Sequence, residues 1–149
     1  MLRSLVFAAL CFTAMSAAAL SAPRSPASIE IDTSSGPHSF DIEVMRTRAE
    51  LEKGLMFRRQ MAPDAGMLFD FGAPQRVAMW MKNTYLPLDM LFIAKDGHVV
   101  SVKQNAEPMS ESVISSGGEI TGVLELNAGT AKRIGVKAGD QVHHPMFGS

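Results

Sequence analysis

Residues 79–93 read Met-Trp-Met-Lys-Asn-Thr-Tyr-Leu-Pro-Leu-Asp-Met-Leu-Phe-Ile. Two apolar runs of strand character meet at a short polar loop, and one acid, Asp89, lies inside the second run. A buried carboxylate without partners costs several kcal/mol or takes up a proton. Alternation puts Asp89 on the face shared by Leu91 and Ile93, with Leu88, Met90 and Phe92 opposite. Donors for it stand nearby in the sequence. Lys82 can pair with it, Asn83 and Thr84 can donate hydrogen bonds, and Arg58 can form a bidentate salt bridge if its loop folds alongside. Two readings follow. Either Asp89 is a structural carboxylate that orders the loop by accepting backbone amides, or the same network shapes a small-ligand pocket. In the second reading Arg58, Trp80, Lys82, Asn83 and Asp89 line the site, with Trp80 as a flat apolar wall for a ring.

Outward from this stretch the chain alternates between short strands and turns. Ile29-Glu30-Ile31-Asp32 and Phe40-Asp41-Ile42-Glu43-Val44 have the period of half-buried strands, and Ser34-Ser35-Gly36-Pro37 turns between them. Thr47-Arg48-Ala49-Glu50 is a capping box opening a helix expected to reach about Phe57, with Gly54 inside it at a point of close packing. Gly66 to Phe71 is a third strand, expected to close at Gly72-Ala73-Pro74, and Arg76 to Met81 a fourth. Leu88 to Ala94 and Val99 to Val102 flank the hairpin turn Asp96-Gly97. A long polar loop is expected from Glu107 to Gly118. Val123 to Leu126 is another strand, Asn127 caps a helix ending at Gly135, and a last strand surrounds Val142. The predicted fold is mainly β: a compact antiparallel sandwich or barrel of about seven to eight short strands with two short helices.

The N-terminus reads as an export signal. Met1-Leu2-Arg3 is a short basic start, Ser4 to Ala19 is apolar and uncharged, and Ala17-Ala18-Ala19 offers small residues for cleavage. The apolar run is shorter than a spanning helix needs, and Pro23, Arg24 and Pro26 follow it. The bulky Leu10 before Cys11 argues against a lipid anchor. The expected organisation is a signal over 1–19, a tether over 20–28 and a single β domain over 29–146, exported to a periplasmic or extracellular location. Losing Arg3 with the signal takes the 14 basic groups to 13 against 15 acidic ones. No basic excess remains to neutralise a phosphate backbone, so nucleic acid is not expected as a partner. Cys11, the only cysteine, leaves as well, so the mature domain has neither a disulfide nor a thiolate metal site and depends on its apolar core.

The order of motifs resembles a known family. Thr47 to Met56 with Gly54-Leu55-Met56, Arg58, Gly66-Met67-Leu68-Phe69, Met79 to Thr84 and Pro87-Leu88-Asp89-Met90 follow its pattern. Asp96-Gly97, Val123-Leu124-Glu125-Leu126 with Gly129, and Gly139-Asp140 complete it. The chain is similar over about Phe40 to Val142 to the bacterial and archaeal family called domain of unknown function 192. That resemblance implies a compact, mainly β domain found in cytosolic and exported forms. It implies no activity.

Other chemistries have weaker signals. Met79 and Met81 share a strand face, and thioethers with an aromatic neighbour suit Cu(I); His143, His144 and Met146 add donors. Methionines at that spacing also simply fill a core. There is no nucleophile elbow, no mature cysteine nucleophile and no zinc helix, and none of the four histidines has an evident nucleophile to serve. Asp89 with Asp70 or Asp140 is the one carboxylate pair a hydrolase reading can draw on. The expected function is therefore an exported, non-catalytic β domain that binds a small polar ligand or serves as an accessory envelope protein, without a cofactor. Soft-metal binding and an Asp89-dependent hydrolase are the alternatives.

Overall fold

The computed structural model describes residues 27–148. The expected signal and most of the tether lie outside the described residues; Ala27 and Ser28 already belong to the first strand. β1 (Ala27–Thr33) and β2 (Gly36–Met45) form the expected hairpin, with Thr33 facing Gly36 across the turn. α1 (Arg48–Lys53) opens with the predicted capping box: Thr47 Oγ1 accepts from the Glu50 amide at 3.3 Å, and Glu50 Oε2 accepts from the Thr47 amide at 2.9 Å. The helix ends at Gly54 instead of running to Phe57, because both residues turn to positive φ, 45° and 65°. The close approach expected at Gly54 is present, since a Cβ there would meet the Phe69 ring at 2.8 Å.

The middle of the chain departs most from the sequence expectation. The third and fourth predicted strands are one strand, β3 (Ala65–Met79), and the predicted loop over 107–118 already enters β6 (Ile114–Asn127) at Ile114. Gly72-Ala73-Pro74 does not stop β3. A register shift between Asp70 and Gln75 absorbs these residues, and β6 stays paired with both halves of the bent strand. β4 (Leu88–Ile93), β5 (Val99–Ala106), α2 (Thr130–Ile134) and β7 (Gln141–His143) complete the set.

The seven strands form one curled sheet in the order β5-β4-β6-β3-β2-β1-β7, a half-barrel. The sheet is mixed. β2 and β3 run parallel, joined by the crossover through α1, while the other pairs are antiparallel. At one end the two edges meet: His98 bridges Gln141, the Val99 amide donates to the Asp140 carbonyl at 2.9 Å, and the Val142 amide donates to the Gly97 carbonyl at 2.8 Å. Gly97, at φ 88°, has no room for a side chain because a Cβ would strike the Val142 carbonyl and the Gln141 amide. Gly97→Ala is therefore expected to cost about 2 kcal/mol. Urea denaturation would check this, and an unchanged midpoint would show that the edge contact contributes nothing.

Both sheet faces are covered, so the central strands carry apolar residues on each side. The inner core holds Ile29, Ile31, Phe40, Leu68, Leu91, Ile93, Leu124 and Leu126, sealed by Ala131 and Ile134 of α2. The outer cluster holds Met67, Phe69, Met81, Leu88, Met90, Phe92 and Val123, with Leu55 just after α1 packed against it. β4 is buried at every position. The assignment of Asp89, Leu91 and Ile93 to one face and Leu88, Met90 and Phe92 to the other agrees with this division.

Candidate functional site

Asp89 is fully buried on the inner face. Its Oδ1 accepts from the Asn105 amide at 2.9 Å and its Oδ2 from the Ala131 amide at 2.8 Å. The second bond accounts for how α2 starts. Asn127 does not cap that helix, as expected from the sequence; its Nδ2 donates instead to the Met61 and Ala62 carbonyls, at 3.3 and 2.9 Å. The N-cap position is Gly129, which has no side chain to offer. A helix start leaves its first amides without intrahelical partners, and Asp89 reaches across from β4 to satisfy one of them. Backbone amides hold the carboxylate, but they belong to β5 and α2 and not to the loop before it, and Arg58, Lys82 and Asn83 do not bond to it.

Those three side chains are engaged elsewhere. Arg58 forms a bidentate pair with Glu43 at 2.5 and 2.6 Å. Its hydrogen bonds hold the Glu43 carboxyl below the usual range, and Arg58 is pushed up in turn. Asn83, at φ 54°, accepts the Phe57 amide on its carbonyl at 2.8 Å and points Nδ2 at Met56 Sδ, 4.0 Å away. Lys82 Nζ lies 5.1 Å from the centre of the Trp80 ring. The five predicted site residues therefore do not surround one point. Asp89 sits on the inner face of the sheet, and Arg58 lies beyond α1 in a separate depression with Glu43 and Phe57.

Trp80, by contrast, walls a cleft of about 610 Å³ between α1 and the outer face of the sheet. Leu51, Leu55, Phe69, Phe71, Val77 and Met79 give this cleft an apolar lining, and Arg46, Arg48, Glu52 and Lys53 stand at its exposed side. Two of those guanidiniums are paired, Arg46 with Asp70 at 3.2 Å and Arg48 with Glu52 at 2.7 Å. Among the described residues Lys53 has no ion-pair partner.

In the buried part of the cleft lie two polar side chains, Thr84 and Glu125. Glu125 lies on β6 opposite Met67 of β3 and Met90 of β4, and only 4% of it is exposed. Burial pushes its carboxyl up to about 8. No protein group among the described residues donates to it or pairs with it. At neutral pH the side chain is therefore mostly a neutral acid, held among thioethers and aromatic rings in the lining of the cleft. The Thr84 hydroxyl donates to the Lys82 carbonyl at 3.1 Å, which leaves its lone pairs free to accept.

The sequence reading missed Glu125, although the signal was the one that singled out Asp89: an acid within an apolar strand, here Val123-Leu124-Glu125-Leu126. The soft-metal donors are not gathered. Met79 and Met81 belong with the outer cluster, whereas Met146 packs on the inner core and His143 pairs with Asp32 at 2.8 Å. Among the described residues no group of three or more His, Cys, Asp or Glu side chains is placed to hold a metal ion, and no helix is long and apolar enough to cross a membrane.

Residues 29–144 match the family model DUF192, described as Uncharacterized ACR. Two solved structures are similar over most of the chain. One is a protein of Sinorhizobium meliloti 1021, provisionally described as a transcription regulator: 53% identical, TM-score 0.76, covering 80% of this chain and 95% of that one. The other, from Novosphingobium aromaticivorans DSM 12444 and of unknown function, is 39% identical with a TM-score of 0.78, covering 80% and 85%. No curated protein matches. With its family model matched from the first strand to the last and its fold shared with both structures, the chain belongs to the DUF192 family.

Proposed function

We propose that this domain binds a small organic molecule, apolar in its middle and polar at its ends, in the cleft between α1 and the outer sheet face. One observation carries the reading: Glu125 is buried, lines that cleft and has no hydrogen-bond or ion-pair partner among the described residues. Buried polar groups are almost always satisfied, and one left open toward a cavity is poised for a guest. The cleft volume of about 610 Å³ falls within the range that accommodates small ligands, and Trp80 supplies a flat wall at its exposed side. Neither alternative reading gains support. Asp89, with both oxygens occupied by backbone amides, cannot reach a substrate, and the thioethers are divided between two cores. A regulator's role on nucleic acid finds little to work with in a chain of net charge −1 whose two helices among the described residues span six and five residues. The same proposal places the protein outside the cytoplasm, on the strength of the basic start, apolar run and small residues within 1–19.

Titration with naphthalene-2-sulfonate, an apolar body bearing one anion, tests the cleft. Trp80 fluorescence is expected to change saturably, and Val77→Phe, which enlarges a half-buried side chain of the cleft lining, is expected to weaken binding about tenfold or more. No saturable change, or equal affinity in that variant, would overturn the proposal.

A further inference from the structure

On the reading that the cleft is a binding site, we infer that Glu125 is the anchor for an acceptor oxygen, such as a carbonyl, at the buried end of an aromatic or aliphatic anion whose charged end stays among Arg46, Arg48 and Lys53. A ligand ammonium would make a strong partner for an ionised Glu125, but to reach it the cation would have to pass a rim in which Arg46 and Arg48 are balanced by Asp70 and Glu52 and Lys53 leaves one excess positive charge. An anion is drawn to that exposed side and keeps its charge there, because carrying it to the buried end would strip it of water with no cation to compensate. The ligand that fits both ends carries its charge outside and a neutral polar group inside.

The protonation of Glu125 decides what that inner group is. As a neutral acid it donates its O–H to an oxygen, and beside it Thr84 offers lone pairs only. The charges that could shift this balance are few. Arg46, Arg48, Glu52 and Lys53 border the cleft, Asp70 of β3 is held by Arg46, and Lys82 rests over Trp80. Glu50 serves its own helix cap. β4 contributes no charge to this face because Asp89 points to the other one, and Glu119 of β6 borders a different depression. Desolvation dominates the carboxyl, so the donor persists at neutral pH and is lost as pH rises past about 8.

Three probes sharing one body separate the possibilities: naphthalene-2-sulfonate, its 6-acetyl derivative, and its 6-aminomethyl derivative. Below the Glu125 midpoint the acetyl compound is expected to bind about tenfold tighter than the parent, the worth of one hydrogen bond in a dry site. That preference should vanish above the midpoint, where the carboxylate has no proton to give. Glu125→Gln keeps an N–H donor and should retain the preference at every pH; Glu125→Leu should lose it. A preference that ignores pH, one that survives in Glu125→Leu, or tightest binding of the aminomethyl compound would overturn the inference. If the parent binds and shows no acetyl preference, the anchor is wrong and the cleft stands. If no probe binds, the cleft itself is wrong.

Discussion

Glu125→Gln is expected to flatten the dependence of stability on pH between 4.5, where an ordinary glutamate titrates, and about 8. In the unfolded chain the carboxyl gives up its proton near 4.5, whereas in the folded protein it holds that proton until about 8. Across this window the native state binds more protons than the unfolded one, so stability falls as pH rises. The Glu125 contribution is complete below 4.5, declines through the window and is gone above about 8. The slope approaches about 1.4 kcal/mol per pH unit for one proton. Glutamine has nearly the same shape and does not titrate, so the variant is expected to exceed the wild type in stability at alkaline pH by several kcal/mol. Urea unfolding of both proteins at a series of pH values gives the difference directly. The comparison cancels other groups, including Glu43, whose lowered carboxyl acts in the opposite sense by favouring the fold above its titration and losing that contribution in acid. Parallel curves for the two proteins would mean that Glu125 ionises normally.

The second large effect belongs to Asp89. Asp89→Ala removes the acceptor of two backbone amides and leaves a hole in a fully buried position. Both amides lose their partner, the Ala131 amide in a buried place and the Asn105 amide in a partly buried one, and a loss of about 3–5 kcal/mol is expected. Exchange of the Ala131 amide proton should accelerate most, because that amide has no other acceptor once the carboxylate is gone. Binding in the cleft should persist in whatever fraction remains folded, since Asp89 lies on the other face of the sheet. Asp89→Asn, which keeps one acceptor oxygen, should lie between the wild type and alanine. A loss below about 1 kcal/mol for alanine would contradict the capping role.

The two acids show how far the sequence could be read. Both sit within apolar strands, and alternation placed Asp89 on the face it occupies. Its partners escaped prediction because they come from Asn105 and Ala131, 16 and 42 residues away. Nothing local announces that a strand residue will cap a helix whose own cap position is a glycine. Glu125 was overlooked because alternation along a strand ordinarily assigns an acid to the solvent face. In a sheet covered on both sides that face is a second interior.

The same cause limited the strand boundaries. The first hairpin, the capping box at Thr47 and the Asp-Gly turn are local devices, and each appears where the residues put it. Gly72-Ala73-Pro74 carries the composition of a turn, and only the continuous pairing to β6 keeps the chain in the sheet there. The parallel pairing of β2 with β3 is likewise a property of the assembled sheet, because the local pattern of a strand is silent about its neighbour's direction.

Ligand binding in the cleft depends on a buried glutamate that keeps its proton at neutral pH and lines an open cleft. Selective carbon-13 labelling of glutamate side chains, with the Glu125 carboxyl assigned through Glu125→Gln and its chemical shift followed against pH, measures that property directly. The predicted midpoint is about 8, and a midpoint at the ordinary 4.5 would contradict the account.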